Sequence, residues 1–276
     1  MKFLFTADLH GNALQYEKIF QYLNAEGFDL LVLGGDLSPK SKERRNPADQ
    51  KAFFEKILFM HTKKAKVPTF LILGNDDYRQ NLKFLKENEH HNYRVIDKPH
   101  GLKNYIFVGY SYVPYTPFVW KDWERRDLAT DQEKDLREDV LKVGKMDFEN
   151  PYNILEDFAK YSIEEDLNSL CESVDAEKLI LITHTPPIDT VCDLTKDKAG
   201  KLRHIGSKAV RAFIEKKQPP LTLHGHIHDS VQNSNQYMQY IGKTISATVG
   251  NDHLTDEVFA LVVTLEKHIN LERIKL

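Results

Sequence analysis

Five short apolar runs punctuate the chain: Phe3–Ala7, Leu30–Leu33, Thr69–Leu73, Leu179–Thr183 and Leu221–Leu223. Each has strand length, is rich in Leu, Ile, Val or Phe, and lacks polar alternation, the pattern of strands covered on both faces. One-sided apolar stripes lie between them. Ile19, Phe20 and Leu23 predict a helix over Leu14–Asn24, and Phe53, Phe54, Ile57 and Leu58 predict another. Ile154–Cys171 and Ser207–Lys217 are further helical stretches, while Gly27, Pro68 and Pro219-Pro220 interrupt the chain just before strands. Strands alternating with helices predict an α/β layered fold. The C-terminal part changes character. Val231–Asn233, Tyr237–Ile241, Thr244–Val249, Val258–Leu265 and His268–Ile274 read as consecutive antiparallel strands, turning at Asn233-Ser234-Asn235 and Glu266-Lys267.

From Tyr110 to about Asn150 the plan is interrupted by both tryptophans, several tyrosines and a dense charge run. With no Gly/Ser linker and no repeat, the chain reads as a single domain, 1–276, carrying a cap-like insertion at about 110–150. Its 276 residues, 41% hydrophobic and 29% charged, suffice for a substantial core. A net charge of −3 makes a nucleic-acid polymer an unpromising partner, since that footprint needs a basic excess. Cys171 and Cys192 are too few for a disulfide framework and suit free thiols in a reducing cytoplasm. The opening apolar run stops at Ala7, too short for a signal peptide, and no run reaches the ~20 residues that span a bilayer. The expectation is a cytoplasmic protein with no membrane partner. Its oligomeric state is left open.

Each apolar run is followed by residues of metal-ligand type: Asp8-Leu9-His10, Gly34-Gly35-Asp36, Gly74-Asn75-Asp76-Asp77, His184-Thr185-Pro186-Pro187 and His224-Gly225-His226-Ile227-His228. Parallel strands deliver such loops to one edge of a sheet, so these motifs converge in space. Asp8 and His10, two apart in an extended segment, would point to the same side, and His226 and His228 would repeat that geometry. Carboxylate, imidazole and amide oxygen without thiolate suit manganese, iron or zinc.

The order Asp-x-His, Gly-Asp, Gly-Asn, His, Gly-His-x-His, running from Asp8 to His228, resembles the calcineurin-like metallophosphoesterase superfamily. Thr116-Pro117-Phe118 and Lys121-Asp122-Trp123-Glu124 look like a stretch of its Icc-related branch. The resemblance implies a four-layer sandwich, two mixed sheets flanked by helices. It implies two divalent ions, the first held by Asp8, His10, Asp36 and His228, the second by Asp36, Asn75, His184 and His226. Asp36 would bridge them. The implied reaction is hydrolysis of a phosphodiester or small organic phosphate by attack of a metal-bridging hydroxide, with a phosphodiesterase favoured over a monoesterase.

Many members of the superfamily carry a histidine after the Gly-Asn pair, where this chain has Asp76. An ionised carboxylate there is a poor general acid. Either the leaving group is a good one, or another side chain such as His204 donates, or the site mainly binds; a purely structural turn role for Asp76 stands beside these. Tyr115, Trp120 and Trp123 read as a stacking wall for a base or aryl group, or as the packing of the cap. Arg44, in the basic loop with Lys40, Lys42 and Arg45, could steer an anionic substrate or simply be solvated. His224 reads as a strand cap or a support for a ligand histidine, and Asn251, Asp252 and His253 reach the ions only if the strand before them runs that way. Two other functions fit the same motifs: a nuclease, and a non-catalytic metal-binding scaffold.

Overall fold

The computed structural model describes residues 1–40, 47–118, 120–132 and 159–276. Sixteen strands occur among them. In chain order the first are β1 (Lys2–Thr6), β2 (Leu30–Gly34), β3 (Thr69–Ile72), β4 (Tyr93–Val95), β5 (His100–Leu102) and β6 (Tyr105–Tyr110). Then come β7 (Val113–Pro114), β8 (Glu124–Arg125), β9 (Leu179–Thr183), β10 (Leu194–Lys196) and β11 (Leu202–His204). Last are β12 (Leu221–His224), β13 (Met238–Ile241), β14 (Thr244–Thr248), β15 (Phe259–Leu265) and β16 (Ile269–Lys275).

Two six-stranded sheets hold most of these, ordered β16-β15-β1-β2-β3-β4 and β13-β14-β12-β9-β6-β5. In the first, β1 to β4 run parallel, β15 pairs antiparallel with β1, and β16 pairs antiparallel with β15. In the second, β6, β9, β12 and β14 are parallel, with β13 and β5 antiparallel at the two edges. Both sheets are therefore mixed. Strand periodicity sends Phe3, Phe5, Phe70 and Ile72 of one sheet against Phe107, Ile180, Ile182 and Leu223 of the other. The opposite faces, Leu4, Leu31 and Leu71 in one sheet and Val108, Leu179 and Leu181 in the other, pack against helices. The result is helix, sheet, sheet, helix, the expected four-layer sandwich.

The helices follow their stripes. Ala13–Ala25 buries Tyr16, Ile19, Phe20 and Leu23, each such side chain worth roughly 1.5–3 kcal/mol on burial. Asn12 caps it, its side chain accepting from Leu14 N and Gln15 N. The stripe around Phe53 lies in a helix that runs Pro47–Phe53, passes through a π turn at Phe54–Leu58 and continues to Lys64. Ile163–Leu170 and Lys208–Lys217 cover the second sheet, capped by Ser162 and Ser207. The start expected at Ile154 lies outside the described residues.

Three expectations need correction. Val231–Asn233 is not a strand: it lies in a short helix, Ser230–Ser234, closed by Asn235 in the left-handed region at φ 56°. The last four strands are not one antiparallel run, because β13 and β14 join the second sheet while β15 and β16 join the first, and β14 is parallel to β12. The segment beginning at Tyr110 does not start outside the sheets, since Tyr110 is the last residue of β6. Of that segment, Val119 and everything from 133 to 150 fall outside the described residues. Beyond β6 the described part forms the small β7–β8 pair and a buried core around Trp123.

Candidate metal centre

At the carboxyl ends of β1 and β2 the chain keeps bonding after the strands stop. Asp8 N donates to Gly35 O at 3.0 Å, His10 N to Asp36 O at 2.8 Å and Gly11 N to Leu37 O at 2.9 Å. In the second sheet His184 N donates to Tyr110 O at 2.9 Å, and Gly225 N to His184 O at 3.1 Å. These loops are rigid extensions of the sheets. Two bonds lock the halves together: His226 N to Asp8 Oδ1 at 2.9 Å and His184 Nδ1 to Gly34 O at 2.9 Å. A carbonyl can only accept, so His184 Nδ1 carries a proton and its Nε2 faces the centre.

Asp8, His10, Asp36 and His226 all have positive φ, at 61°, 40°, 51° and 71°. Asp8-Leu9-His10 is therefore not the extended segment the spacing suggests, nor is His226-Ile227-His228. Convergence comes from tight left-handed turns, a costly geometry for side chains other than glycine that persists where surrounding structure enforces it. The neighbouring glycines are needed for close approach: a Cβ at Gly74 would sit 2.3 Å from Asp36 Oδ1, and one at Gly35, where φ is 98°, 2.5 Å from His184 Nδ1. Gly74→Ala should push the Asp36 carboxylate aside and weaken divalent-cation binding at least tenfold, read by titration calorimetry. Unchanged binding would show that this carboxylate has room to move.

Ligand atoms of Asp8, His10, Asp36 and His228 lie within 4.8 Å of one another. His10 Nε2 is 3.1 Å from His228 Nε2 and 3.5 Å from Asp36 Oδ2. On the other side of Asp36, His184 Nε2 is 3.4 Å from the same Oδ2 and 3.1 Å from Asn75 Oδ1. His226 stands beside His184, with ring centroids 5.2 Å apart. All seven expected ligands thus meet in one place. Asp8, His10, Asp36, Asn75 and His184 are buried, and His226 and His228 are half-buried.

Charge in this nest is poorly compensated by the protein alone. Burial pushes the Asp8 carboxyl up, against the pull of His228 and His184, and Asp8 Oδ2 is buried without a hydrogen-bond partner. Asp36 feels burial too, but His184 and His10 hold it well below the usual carboxylate range. Burial pushes His10 well below its ordinary range and takes His226 down to about 3. Burial also opposes the charged form of His184, but Asp36, which it bonds, and Asp8 outweigh that and raise it to about 9. Imidazole nitrogens, two buried carboxylates, one of them with an unpartnered oxygen, and an amide oxygen fit hard-to-borderline divalent cations.

The centre floors a cleft of about 560 Å³, lined by Asp36, Asn75, His226 and His228 and walled by Lys40, Asp76, Phe118 and Trp120. Asp76 N donates to Asp36 Oδ1 at 2.7 Å, while its carboxylate pairs with Lys40 Nζ at 3.0 Å. Trp120 stands edge-on to Tyr78, with centroids 5.3 Å apart. Trp123 faces the other way. It is 4% exposed, edge-on to Tyr112, and its Nε1 donates to Asp77 O at 2.8 Å, so it supports the wall from behind. Tyr115 is half-buried and does not line the cleft. His204 lies on β11 with Nδ1 2.7 Å from Asp193 Oδ1 and is likewise not in the lining. Arg44 lies outside the described residues. His224 touches no ligand side chain: it bonds the hydroxyls of Thr183, Thr222 and Ser246, tying β9, β12 and β14 together, and burial lowers it to about 3.

One residue of the third motif supports the loops and is not among the seven ligands. Asp77 is buried and accepts from Leu37 N, Ser38 N and Oγ, and Gly74 N, joining the loops after β2 and β3; burial, then Asp36, push its carboxyl up to about 6.

Comparison with known proteins shows the family and the fold. The sequence profile of the calcineurin-like phosphoesterases matches residues 1–230. A protein of Invertebrate iridescent virus 3 described as a phosphoesterase is 29% identical over 132 residues, which is 42% of this chain and 37% of the viral protein. This chain thus matches well under half the length of that relative. The crystal structure of TT1561 of Thermus thermophilus shares the fold, with a TM-score of 0.57 at 20% identity over 94% of this chain and 93% of its own. So does a Staphylococcus aureus protein described as a 5'-nucleotidase, at 0.55 and 13% over 100% of this chain and 53% of its own. The purple acid phosphatase PPD1 of yellow lupin gives 0.53 and 13% over 100% and 51%. With a profile match over residues 1–230, which contain all seven converging side chains, this chain belongs to the calcineurin-like phosphoesterase family.

Proposed function

We propose that the chain is a dinuclear metal-dependent phosphoesterase acting on a phosphodiester or other small organic phosphate. Asp8, His10, Asp36 and His228 would hold one cation, and Asp36, Asn75, His184 and His226 the other. One observation carries this reading: Asp36 Oδ2 lies 3.5 Å from His10 Nε2 and 3.4 Å from His184 Nε2, midway between two sets of ligand atoms. A carboxylate can serve both. The mixed nitrogen and oxygen set favours manganese, iron or zinc. When bound, such a pair neutralises charge on a phosphoryl group and makes a water proton easy to lose near neutral pH.

The chain's own residues do the rest. Asp76 contributes its backbone N–H, which orients Asp36, while its side chain is engaged by Lys40. That pairing argues against Asp76 as the proton donor and for a substrate whose leaving group departs unaided, such as an aryl or nucleoside phosphate. His204, held by Asp193 outside the cleft lining, is a weaker substitute donor. Lys40 adds positive charge at the mouth. Among the described lining residues it is the one ammonium or guanidinium group, and it is shared with Asp76. A diester with one negative charge suits that balance better than a monoester, whose second ionisation lies near ~6. Phe118, Trp120 and Ile205 offer an apolar wall for the ester group. The net charge of −3 favours a small substrate over a polymer, and two buried free thiols suit a reducing, cytoplasmic setting.

The test is turnover of bis-p-nitrophenyl phosphate. Hydrolysis should require added manganese, vanish with a chelator and return on reloading. Two bound cations without turnover of any diester, monoester or nucleotide would favour the scaffold reading instead. Trp120→Ala should raise KM for this aryl substrate about 2–12-fold, the equivalent of a lost aromatic contact of ~0.5–1.5 kcal/mol. A small alkyl diester should be hydrolysed equally by both proteins; equal KM on the aryl substrate would remove Trp120 from the wall.

A further inference from the structure

The loop from Val249 to Val258, between β14 and β15, lies beyond the residues matched by the family profile and carries Asn251, Asp252 and His253, delivered by a strand that runs parallel to β12. It is nonetheless held hard against the metal centre. Asn251 is fully buried, donating from Nδ2 to Thr6 Oγ1, Ala7 O and Phe259 O at 2.9, 2.9 and 3.0 Å and accepting from Phe259 N at 2.7 Å. Gln15 Nε2 donates to the carbonyls of Asp252, Thr255 and Glu257 at 3.1, 2.9 and 2.8 Å. Asn12 Nδ2, at the start of the first helix, reaches His253 O and Thr255 O at 3.2 and 3.0 Å. These bonds fix the backbone on both sides of His253.

The imidazole of His253 lies beside His10 and His228, two of the four residues at the first cation position, and groups with these two rather than with Asp8 and Asp36. Its centroid is 4.4 Å from that of His10 and 5.4 Å from that of His228, and one ring nitrogen of each of the three lies within 4.8 Å of the others. The three rings meet at 54°, 54° and 81°, with His10 buried and His228 and His253 half-buried, and the hydrogen-bond contact among them is His10 Nε2 to His228 Nε2 at 3.1 Å. Nδ1 of His253 is buried without a hydrogen-bond partner, whereas Nδ1 of His10 turns to the Asp76 carboxylate at 3.8 Å and leaves Nε2 facing His228 and Asp36. The unpartnered His253 nitrogen costs free energy unless something accepts its lone pair. Simple ring packing would not need the nitrogens to converge.

We propose that His253 is an eighth ligand, a third imidazole on the cation held by Asp8, His10, Asp36 and His228. The inference rests on the dinuclear reading above and extends it to a residue outside the family motif. It makes the first position richer in nitrogen than its motif alone would, which favours zinc or iron there over harder cations such as magnesium.

Titration calorimetry of the full chain, stripped by chelator and titrated with Mn²⁺ alone, tests it. The native protein should bind two cations. In His253→Ala one should keep its affinity and the other should weaken at least tenfold, of the order of ~10–100-fold seen for groups that steady a metal. Millimolar imidazole should restore most of the lost affinity by filling the vacated position, and the metal-free variant should melt with the native protein. Two cations bound equally by both proteins would overturn the eighth ligand and leave the seven-residue centre intact. A loss that imidazole does not repair would overturn direct coordination. A native protein that binds no cation pair would instead sink the dinuclear reading, and this inference with it.

Discussion

Asp36→Asn should lower kcat/KM for bis-p-nitrophenyl phosphate by about 10³-fold or more, equivalent to ~4 kcal/mol, while leaving the fold in place. Asparagine keeps the shape and tolerates the left-handed backbone at φ 51°, and its Oδ1 can still accept from Asp76 N. What it lacks is the negative charge on the oxygen that both His10 and His184 approach. That charge is what allows one side chain to serve two cations in a buried setting. Steady-state rates at saturating manganese, with circular dichroism as the check on folding, measure the effect. A variant within tenfold of the native rate would mean that Asp36 does not sit between the reacting partners.

The second large effect concerns stability and depends on pH. Lys121 and Glu124 form a buried ion pair at 2.7 Å, each about 1% exposed, with Thr116 N and Oγ1 donating to the same carboxylate and Lys121 Nζ donating to Thr116 O. This knot closes the loop that presents Phe118 and Trp120 to the cleft. Burial pushes the Glu124 carboxyl up to about 7 from its ordinary 4.5, even with Lys121 and Thr116 pulling it down. Between those values the folded protein holds a proton that the unfolded chain has released. The stabilising contribution is therefore complete below 4.5 and is lost as pH rises through 7. Lys121→Met removes the partner and should cost roughly 3–5 kcal/mol at pH 8, where the lone carboxylate would have to be charged or take up a proton. At pH 5 the carboxyl is already protonated and the cost should be clearly smaller. Urea unfolding at the two pH values decides it; an equal loss at both would show that the pair is not what closes the loop.

Much of this was legible in the chain because the buried parallel strands announce themselves as unbroken apolar runs, and the ligands stand where those runs stop. The geometry of the turns was not. Nothing local in Asp8-Leu9-His10 signals that both flanking residues adopt positive φ, since that conformation is imposed by bonds to Gly35 and Asp36 across the sheet. Val231–Asn233 misleads for a related reason: three residues cannot show periodicity, and the helix they occupy is set by the left-handed stop at Asn235. Short edge strands such as Tyr93–Val95 and His100–Leu102 carry too few residues to stand out. Trp123 and Trp120 look alike in sequence, but only tertiary contact sends one to the core and the other to the cleft. His253 depends on the return of β15 beside β1, a pairing between residues more than 250 positions apart.

The account stands on two cations sharing Asp36. Anomalous diffraction from crystals soaked in manganese should give two peaks about 3.5–4 Å apart, one on each side of that carboxylate. A single peak, or a pair remote from Asp36, would contradict it.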